Sequence, residues 1–247
     1  MWLSSNKNNV FMVKVARMLK KYTYLLICLT VIIKFFSGIA IADPSEFVAG
    51  EHYKILKSAG LSMLASVTVG SINDSVAKVS KKPQVLMFFN YACYGCWLVN
   101  KDFTSWKNAN KGKVDVYYYP VAFNNIWENM AKCYYVNKEL WPDDDGEEMF
   151  LGIHRDHKKL WVESEMINFY AQKEITKERF LQKYQSFDVE RKVKKSIEIA
   201  KMYEIHITPS IVINGEKNSY MVNFTMVKDP EMLFKVMDYL IKENPSQ

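Results

Sequence analysis

The sequence predicts an α/β sandwich with a mostly helical insertion. Three observations carry that prediction. An apolar run, Gln84 to Asn90, stands directly ahead of a helical spacing. The stretch from Ile126 to about Met202 reads as helices only. Strand patterns then return at Ser210–Ile213 and Ser219–Asn223, ahead of one last helix. Strands that are interrupted by a block of helices and then resumed place that block as an insertion in a layered fold.

The elements follow in order. Glu51–Leu56 alternates enough for a short strand. Ser62–Val79 reads as a helix or a loosely held connector, and Lys81-Lys82-Pro83 breaks the chain. Gln84–Asn90 is too short for a core helix and reads as a buried strand. From Tyr94, the spacing of Trp97, Leu98, Phe103 and Trp106 is helical, and Lys111-Gly112-Lys113 ends that helix. Val114–Val121 is β-branched and aromatic, a second strand whose three tyrosines suit sheet packing better than a ligand box. The helical block comprises Ile126–Leu140, Glu147–Lys159, Glu163–Gln172, Lys177–Tyr184 and Asp188–Met202. Between its first two helices, Asp143-Asp144-Asp145 lacks the alternating ligand spacing of a calcium loop and reads as a solvated turn with a helix cap. Asn214-Gly215 signals a tight turn between the last two strands. Asp229-Pro230 opens the final helix, whose stripe of Met232, Leu233, Val236, Met237 and Leu240 faces a core.

Of the 247 residues, 49% are hydrophobic, enough for a substantial core. The net charge of +6 is concentrated at one end: residues 1–42 hold Lys7, Lys14, Arg17, Lys20, Lys21 and Lys34 and no acid. The remainder is formally neutral, so the basic balance is no argument for nucleic-acid binding. That basic end reads as a secretory signal. An apolar run, Tyr22–Ile33, follows Lys20-Lys21, and Ala40-Ile41-Ala42 supplies the small residues of a cleavage site before Asp43. The competing reading is a permanent membrane anchor, for which the run is short against the roughly 20 apolar residues a span needs. Cys28 falls inside the leader, with Leu25-Leu26-Ile27 ahead of it in place of a lipoprotein signal. The expected organisation is therefore a signal peptide at 1–42, a lead-in at 43–82, a first sandwich part at 83–124, the insertion at 125–202 and a second sandwich part at 203–247.

Export places the mature chain in an oxidising compartment. It keeps three cysteines, Cys93, Cys96 and Cys133, too few for a disulfide scaffold. Cys93-Tyr94-Gly95-Cys96 sits where the strand ends and the helix begins. Helix-end N–H groups and the helix dipole there stabilise a thiolate at Cys93, with Cys96 about one turn further in and more buried. Tyr94 and Gly95 add no charge. A metal site needs four ligands; His154 and His157, two intervening residues apart, would complete a set, but they lie far along the chain on what reads as a polar helix face. An inert disulfide is the other alternative, though a ring that tight restricts the unfolded chain little. A second, independent feature is Ile207-Thr208-Pro209-Ser210, at the start of a strand. A cis Thr208–Pro209 bond and a simple strand start are both consistent with it.

"FFNYACYGC", "YYYPVAFNN", the helical insert, "ITPSIVING" and the last helix together resemble thioredoxin-fold proteins of the DsbA type, and "AGEHYKIL" (Ala49 to Leu56) is similar to the first strand of that family. The resemblance covers roughly Phe47 to Asn244. It implies a thioredoxin-like fold with a helical insertion domain. It implies that Cys93 is the redox-active nucleophile and Cys96 the resolving cysteine, with no cofactor beyond the pair. Pro209 is then a cis-proline facing the pair, and Thr208, Tyr94 and Gly95 shape substrate contact. The implied substrates are reduced, newly exported proteins in the periplasm of a Gram-negative bacterium, and the implied partner is a DsbB-type membrane reoxidase acting through quinone.

The chain departs from the family in several places. Tyr94-Gly95 stands where such proteins usually carry Pro-His. Met87 and the neighbourhood of Val116 are apolar where many have a buried acid and a lysine. Leu61–Ser80 looks like an extra segment, and it leaves a homodimer open. Cys133 matches nothing catalytic and reads as a buried free thiol. Two other readings stand beside the oxidase: an isomerase or reductase, favoured by a modestly acidified Cys93, and a redox-inert binding protein, which predicts a buried Cys93 or a disulfide that glutathione cannot reduce.

Overall fold

The structure is a computed structural model, and it describes residues 47–56, 82–214, 218–227 and 229–243. The leader at 1–42, the connector Ser62–Val79, the extra segment Leu61–Ser80 and Gly215 of the expected turn lie outside the described residues.

The sheet is five-stranded, built from β1 (Lys54–Leu56), β2 (Gln84–Phe89), β3 (Asp115–Pro120), β4 (Ser210–Asn214) and β5 (Ser219–Asn223), in the order β1-β5-β4-β2-β3. Among the described strands the β2–β3 pair is parallel, and β2–β4, β4–β5 and β1–β5 are antiparallel. β2 lies between two strands and is covered on both faces, so it reads as one continuous apolar run. The first strand is shorter than expected: Glu51 and His52 belong instead to a turn in which Gly50 N–H donates to the Tyr53 carbonyl at 2.7 Å.

Strand alternation sends neighbouring residues of β2 to opposite faces. Val85, Met87 and Phe89 join Ile211, Ile213 and Val222 on one face. There they meet α1 (Tyr94–Ala109), through Val99, Phe103 and Trp106, and α7 (Pro230–Glu243), through Leu233, Val236, Met237 and Leu240. Leu86 and Phe88 point the other way, with Val212 and Met221, onto Ile199, Ala200 and Tyr203 at the end of α6 (Phe187–Met202). The three tyrosines of β3 divide in the same manner. Tyr118 packs on Phe89 and Phe103, Tyr119 stacks on Phe88 at 5.6 Å, and Tyr117 is exposed.

The insertion consists of α2 (Asn125–Leu140), α3 (Glu147–Phe150), α4 (Glu163–Ala171), α5 (Lys177–Tyr184) and α6. Its buried residues, Met130, Cys133, Met166, Tyr170 and Phe180 among them, are continuous with the core on the α1 face of the sheet. Side-chain caps start three of its helices: Asn124 accepts from Trp127 N–H, Thr176 from Arg179 N–H and Ser186 from Val189 N–H.

One helix differs from expectation. Glu147–Lys159 is not a single α-helix: four residues of α3 run into a π-helical turn, Leu151–Arg155, and His157 then takes φ 55°. The chain turns back here because Leu160 packs onto Gly152. A Cβ at Gly152 would lie 2.9 Å from Leu160 Cδ1, so a side chain there would hold the two apart.

Candidate active site

The site begins at the end of β2, with Asn90. Its amide donates to the Val121 carbonyl at 2.7 Å and to the Trp127 carbonyl at 2.9 Å, and its side-chain oxygen accepts from Ala92 N–H at 2.9 Å. One fully buried side chain thus ties together the end of β2, the exit of β3 and the first turn of α2. Cys93 N–H donates to the Asn90 carbonyl at 3.0 Å, which fixes where α1 starts. Nothing in the sequence singled Asn90 out, although an asparagine closing an apolar run was the available signal.

Cys93 is the N-cap of α1, with φ −87° and ψ 116°, and its Sγ accepts from Cys96 N–H at 3.3 Å. The sulfur takes the place of the oxygen that usually caps a helix and satisfies one of the free N–H groups of the first turn. No acid sits in that turn to compete for the positive end of the helix. Across from the pair, the Cys93 thiol donates to the Thr208 carbonyl at 3.4 Å, and the Thr208–Pro209 bond is cis. Gly95 faces Pro209: a Cβ there would lie 3.1 Å from Pro209 Cδ. The structure therefore brings Cys93, Cys96, Gly95, Thr208 and Pro209 together, while Tyr94 projects outward and is 60% exposed.

The two sulfurs differ in acidity. Hydrogen bonding by Cys96 lowers the Cys93 thiol from its ordinary 9.0 to about 7, against the opposing effect of burial, with Thr208 and the Cys96 and Gly95 backbone adding to the lowering. Burial pushes the Cys96 thiol well above 9.0. The Thr208 hydroxyl is buried without a hydrogen-bond partner of its own, and it favours the ionised form of both sulfurs. Cys93 is 8% exposed and Cys96 1%. The cover over Cys93 counts toward the redox-inert reading; its acidified sulfur counts against it. Such a pair can exchange a disulfide, since the acidified sulfur is the better leaving group and is ionised near neutrality.

His154 does not lie on a polar helix face. Its ring stacks on Trp97 at 5.4 Å with an interplanar angle of 12°, meets Tyr94 edge-on at 5.9 Å, and bonds through Nε2 to the Tyr91 carbonyl at 2.8 Å. The π-helical turn delivers it there, and helical periodicity in the sequence gave no sign of this. His157 is exposed, and among the described residues no group of three or more His, Cys, Asp or Glu side chains is placed to hold a metal. Cys133 is fully buried in the insertion, with its Sγ 3.2 Å from Met166 Sδ and its thiol pushed up to about 12 by burial.

A thiol pair capping a helix, opposite a cis-proline on a mixed five-stranded sheet, defines a thioredoxin-fold dithiol protein. A family model described as Thioredoxin matches residues 78–228. The chain is 29% identical to the thiol:disulfide interchange protein DsbA of Pseudomonas aeruginosa over 163 residues, covering 66% of this chain and 76% of that one. It is 27% identical to the DsbA of Azotobacter vinelandii over 214 residues, covering 86% and 98%. The crystal structure of Pseudomonas aeruginosa DsbA superposes with a TM-score of 0.65 at 27% identity, over 80% of this chain and 94% of that one. The chain belongs to the thioredoxin family, as a thiol:disulfide oxidoreductase of the DsbA type. These relatives do not favour the inert or the isomerase reading.

Proposed function

We propose that Cys93 is the exchanging sulfur of this oxidoreductase and Cys96 the resolving one, and that the chain donates its disulfide to reduced proteins after export to the periplasm. The observation that supports these roles most directly is the Cys93 Sγ at the helix start, accepting Cys96 N–H, while Cys96 is enclosed. In the oxidised state the two sulfurs are bonded. A substrate thiolate attacks Cys93 Sγ, the Cys93–Cys96 bond breaks, and Cys96 takes the electron pair and then a proton. The substrate's second thiolate attacks its own sulfur in the mixed disulfide and releases Cys93 as a thiolate. The substrate loses two electrons, and the cysteine pair alone carries them. Thr208 and Pro209 border the exchanging sulfur and, with Tyr94 and Gly95, form the surface a substrate segment meets. A DsbB-type membrane protein that passes the electrons to quinone would restore the disulfide.

Cys96→Ala tests the roles. Charged first as a Cys93–glutathione mixed disulfide, the variant should release glutathione to the thiolate of a reduced exported protein and stay bonded to that protein through Cys93. Trapping through Cys133, or no trapping while the intact protein still oxidises a reduced test protein, would refute the assignment.

A further inference from the structure

Tyr94, the first residue between the two cysteines, is exposed, yet its ring is not left loose. Trp97 meets it edge-on at 5.4 Å and His154 meets it edge-on at 5.9 Å. His154 and Trp97 in turn stack on each other, with their planes 12° apart. His154 comes from the insertion, on the π-helical turn Leu151–Arg155. A turn of that kind re-aims a side chain within a helix and recurs at functional sites. The imidazole is itself held by two further groups. The buried Phe150 ring stacks near it at 6.2 Å, and its Nε2 lies 2.8 Å from the Tyr91 carbonyl. A carbonyl only accepts, so Nε2 carries the proton. Burial holds His154 below the usual imidazole range, so the ring is neutral near pH 7.

Three rings of separate origin thus meet beside Cys93: one from the dipeptide, one from α1 just after Cys96, one from the insertion. Leu98, one turn after Tyr94 on the same side of α1, is also exposed and extends the apolar surface. What meets this surface follows from the chemistry at Cys93. A disulfide holds its two Cα atoms about 4.4–6.8 Å apart. A substrate cysteine bonded to Cys93 therefore brings the residues on either side of it within reach of the Tyr94 ring, which is next in the chain. Gly95 packs toward Pro209 while Tyr94 packs toward the insertion, so this surface is not the one bordered by the cis-proline.

We propose that Tyr94, Trp97 and His154 form a bracket that favours substrates with an aromatic residue next to the reacting cysteine, and that His154 is the positioning residue that holds the exposed Tyr94 ring ready. The proposal rests on the role of Cys93 given above and adds to it a preference among substrates. Aromatic rings attract one another in offset and edge-on arrangements. A ring already held in place loses little freedom when a second ring docks on it, so the contact counts for more than one made by a loose surface tyrosine. The contacts of His154 described here are with rings and a carbonyl, so its loss should change substrate choice and leave the acidity of Cys93 alone.

The test uses the full-length Cys96→Ala protein with Cys93 charged with glutathione, and two acetylated tripeptides, Phe-Cys-Phe and Gly-Cys-Gly. The peptide thiolate attacks Cys93 Sγ, the bond to glutathione breaks, and glutathione leaves as the thiolate; mass spectrometry follows the peptide gained on Cys93. Dividing by the rate of the same peptide with glutathione disulfide cancels differences between the two thiols. The aromatic peptide should be favoured about fivefold, the worth of one aromatic pair. His154→Gln keeps a donor for the Tyr91 carbonyl but lacks the ring, and should erase most of that preference. His154→Phe keeps a ring and should retain it. Tyr94→Ala should abolish the preference, and His154→Gln added to it should change nothing further. The Cys93 alkylation midpoint, measured with Cys96 in place, should not move in either His154 variant. Equal rates for the two peptides before any change at Tyr94 or His154 would overturn the proposal, and so would a preference that survives His154→Gln. Equal slowing of both peptides with a displaced Cys93 midpoint would also overturn it, marking His154 as a support of the loop at 91–93. If neither peptide takes over Cys93 at all, the underlying role of Cys93 fails instead, so the two failures are distinguishable.

Discussion

Gly146 lies so close to Tyr91 that a Cβ on the glycine would come within 2.5 Å of the tyrosine ring. Gly146 ends the acidic loop of the insertion, and Tyr91 stands two residues ahead of Cys93. The contact is one of several from the insertion: Phe150 meets the Tyr91 ring edge-on at 5.1 Å, and His154 bonds its carbonyl at 2.8 Å. Gly146 also has φ 77°, in the left-handed region. Gly146→Ala therefore combines an unfavourable backbone with an overlap against a buried ring, and should cost roughly 2–4 kcal/mol. Urea unfolding measures this. A loss below about 0.5 kcal/mol, the range of neutral surface changes, would show that the loop is not seated on Tyr91.

Asn90→Ala removes three hydrogen bonds at once and leaves the carbonyls of Val121 and Trp127 and the N–H of Ala92 without that partner. Unsatisfied buried groups cost about 1–3 kcal/mol each, with partial relief by water, so a loss of about 2–4 kcal/mol is expected. Because Asn90 also sets the start of α1 through Cys93 N–H, thiol exchange should slow in the variant even where it remains folded. Unchanged stability and an unchanged Cys93 alkylation rate would contradict this account.

Cys93 should titrate near pH 7 when its alkylation is followed against pH. The folded thiol at about 7 lies below its ordinary 9.0, so between those values the unfolded chain binds more protons than the folded one. The reduced protein should gain stability as pH rises from about 7 to about 9, by roughly 3 kcal/mol in full, and lose that contribution as pH falls through 7. The oxidised protein, with no thiol at Cys93, should lack the slope. Thr208→Val removes a hydroxyl that favours the thiolate and should raise the alkylation midpoint. A midpoint near 9 in the unmutated protein would remove the basis for an acidified Cys93.

Local pattern made much of this fold legible. The apolar run of β2 points to a buried strand, and the β-branched, aromatic run of β3 to a second strand. The sequence bounds Lys177–Tyr184 where the helix lies, with Thr176 as its cap. The cysteine pair declared its position because strand and helix meet there. What the sequence concealed depends on tertiary contact. A π-helical turn and an α-helix share nearly the same apolar spacing over one turn, so Leu151–Arg155 looked like continued helix and His154 like a surface residue. Asp144 and Asp145 read as solvated because a charge run usually is; only the packing of the loop onto Tyr91 turns it toward Cys96. Asn90 read as the end of a strand because its three partners lie on other segments.

The reduction potential of the Cys93–Cys96 pair should be intermediate. Stabilising the Cys93 thiolate favours the dithiol and makes the disulfide more oxidising. A fall of the thiol from 9.0 to about 7 is worth about 60 mV in that direction above about pH 9, and about 10 mV at pH 7, where half of the Cys93 thiol is ionised. A thiol near 7 resembles that of thioredoxin, whereas the strong oxidant DsbA has one near about 3.5. The difference has a visible source: Gly95 occupies the place of a histidine, and Tyr94 adds no charge, so the thiolate rests on the Cys96 and Gly95 groups and the nearby Thr208 hydroxyl. Equilibration with glutathione should place the pair between about −270 mV, the thioredoxin value, and about −120 mV, the DsbA value. It should still oxidise a reduced test protein under periplasmic conditions, more slowly than a partner with the charged motif. A measured potential at the end of about −120 mV would mean that some group other than these hydrogen bonds stabilises the Cys93 thiolate, and His154, against Tyr94 and Trp97, would be the first residue to replace.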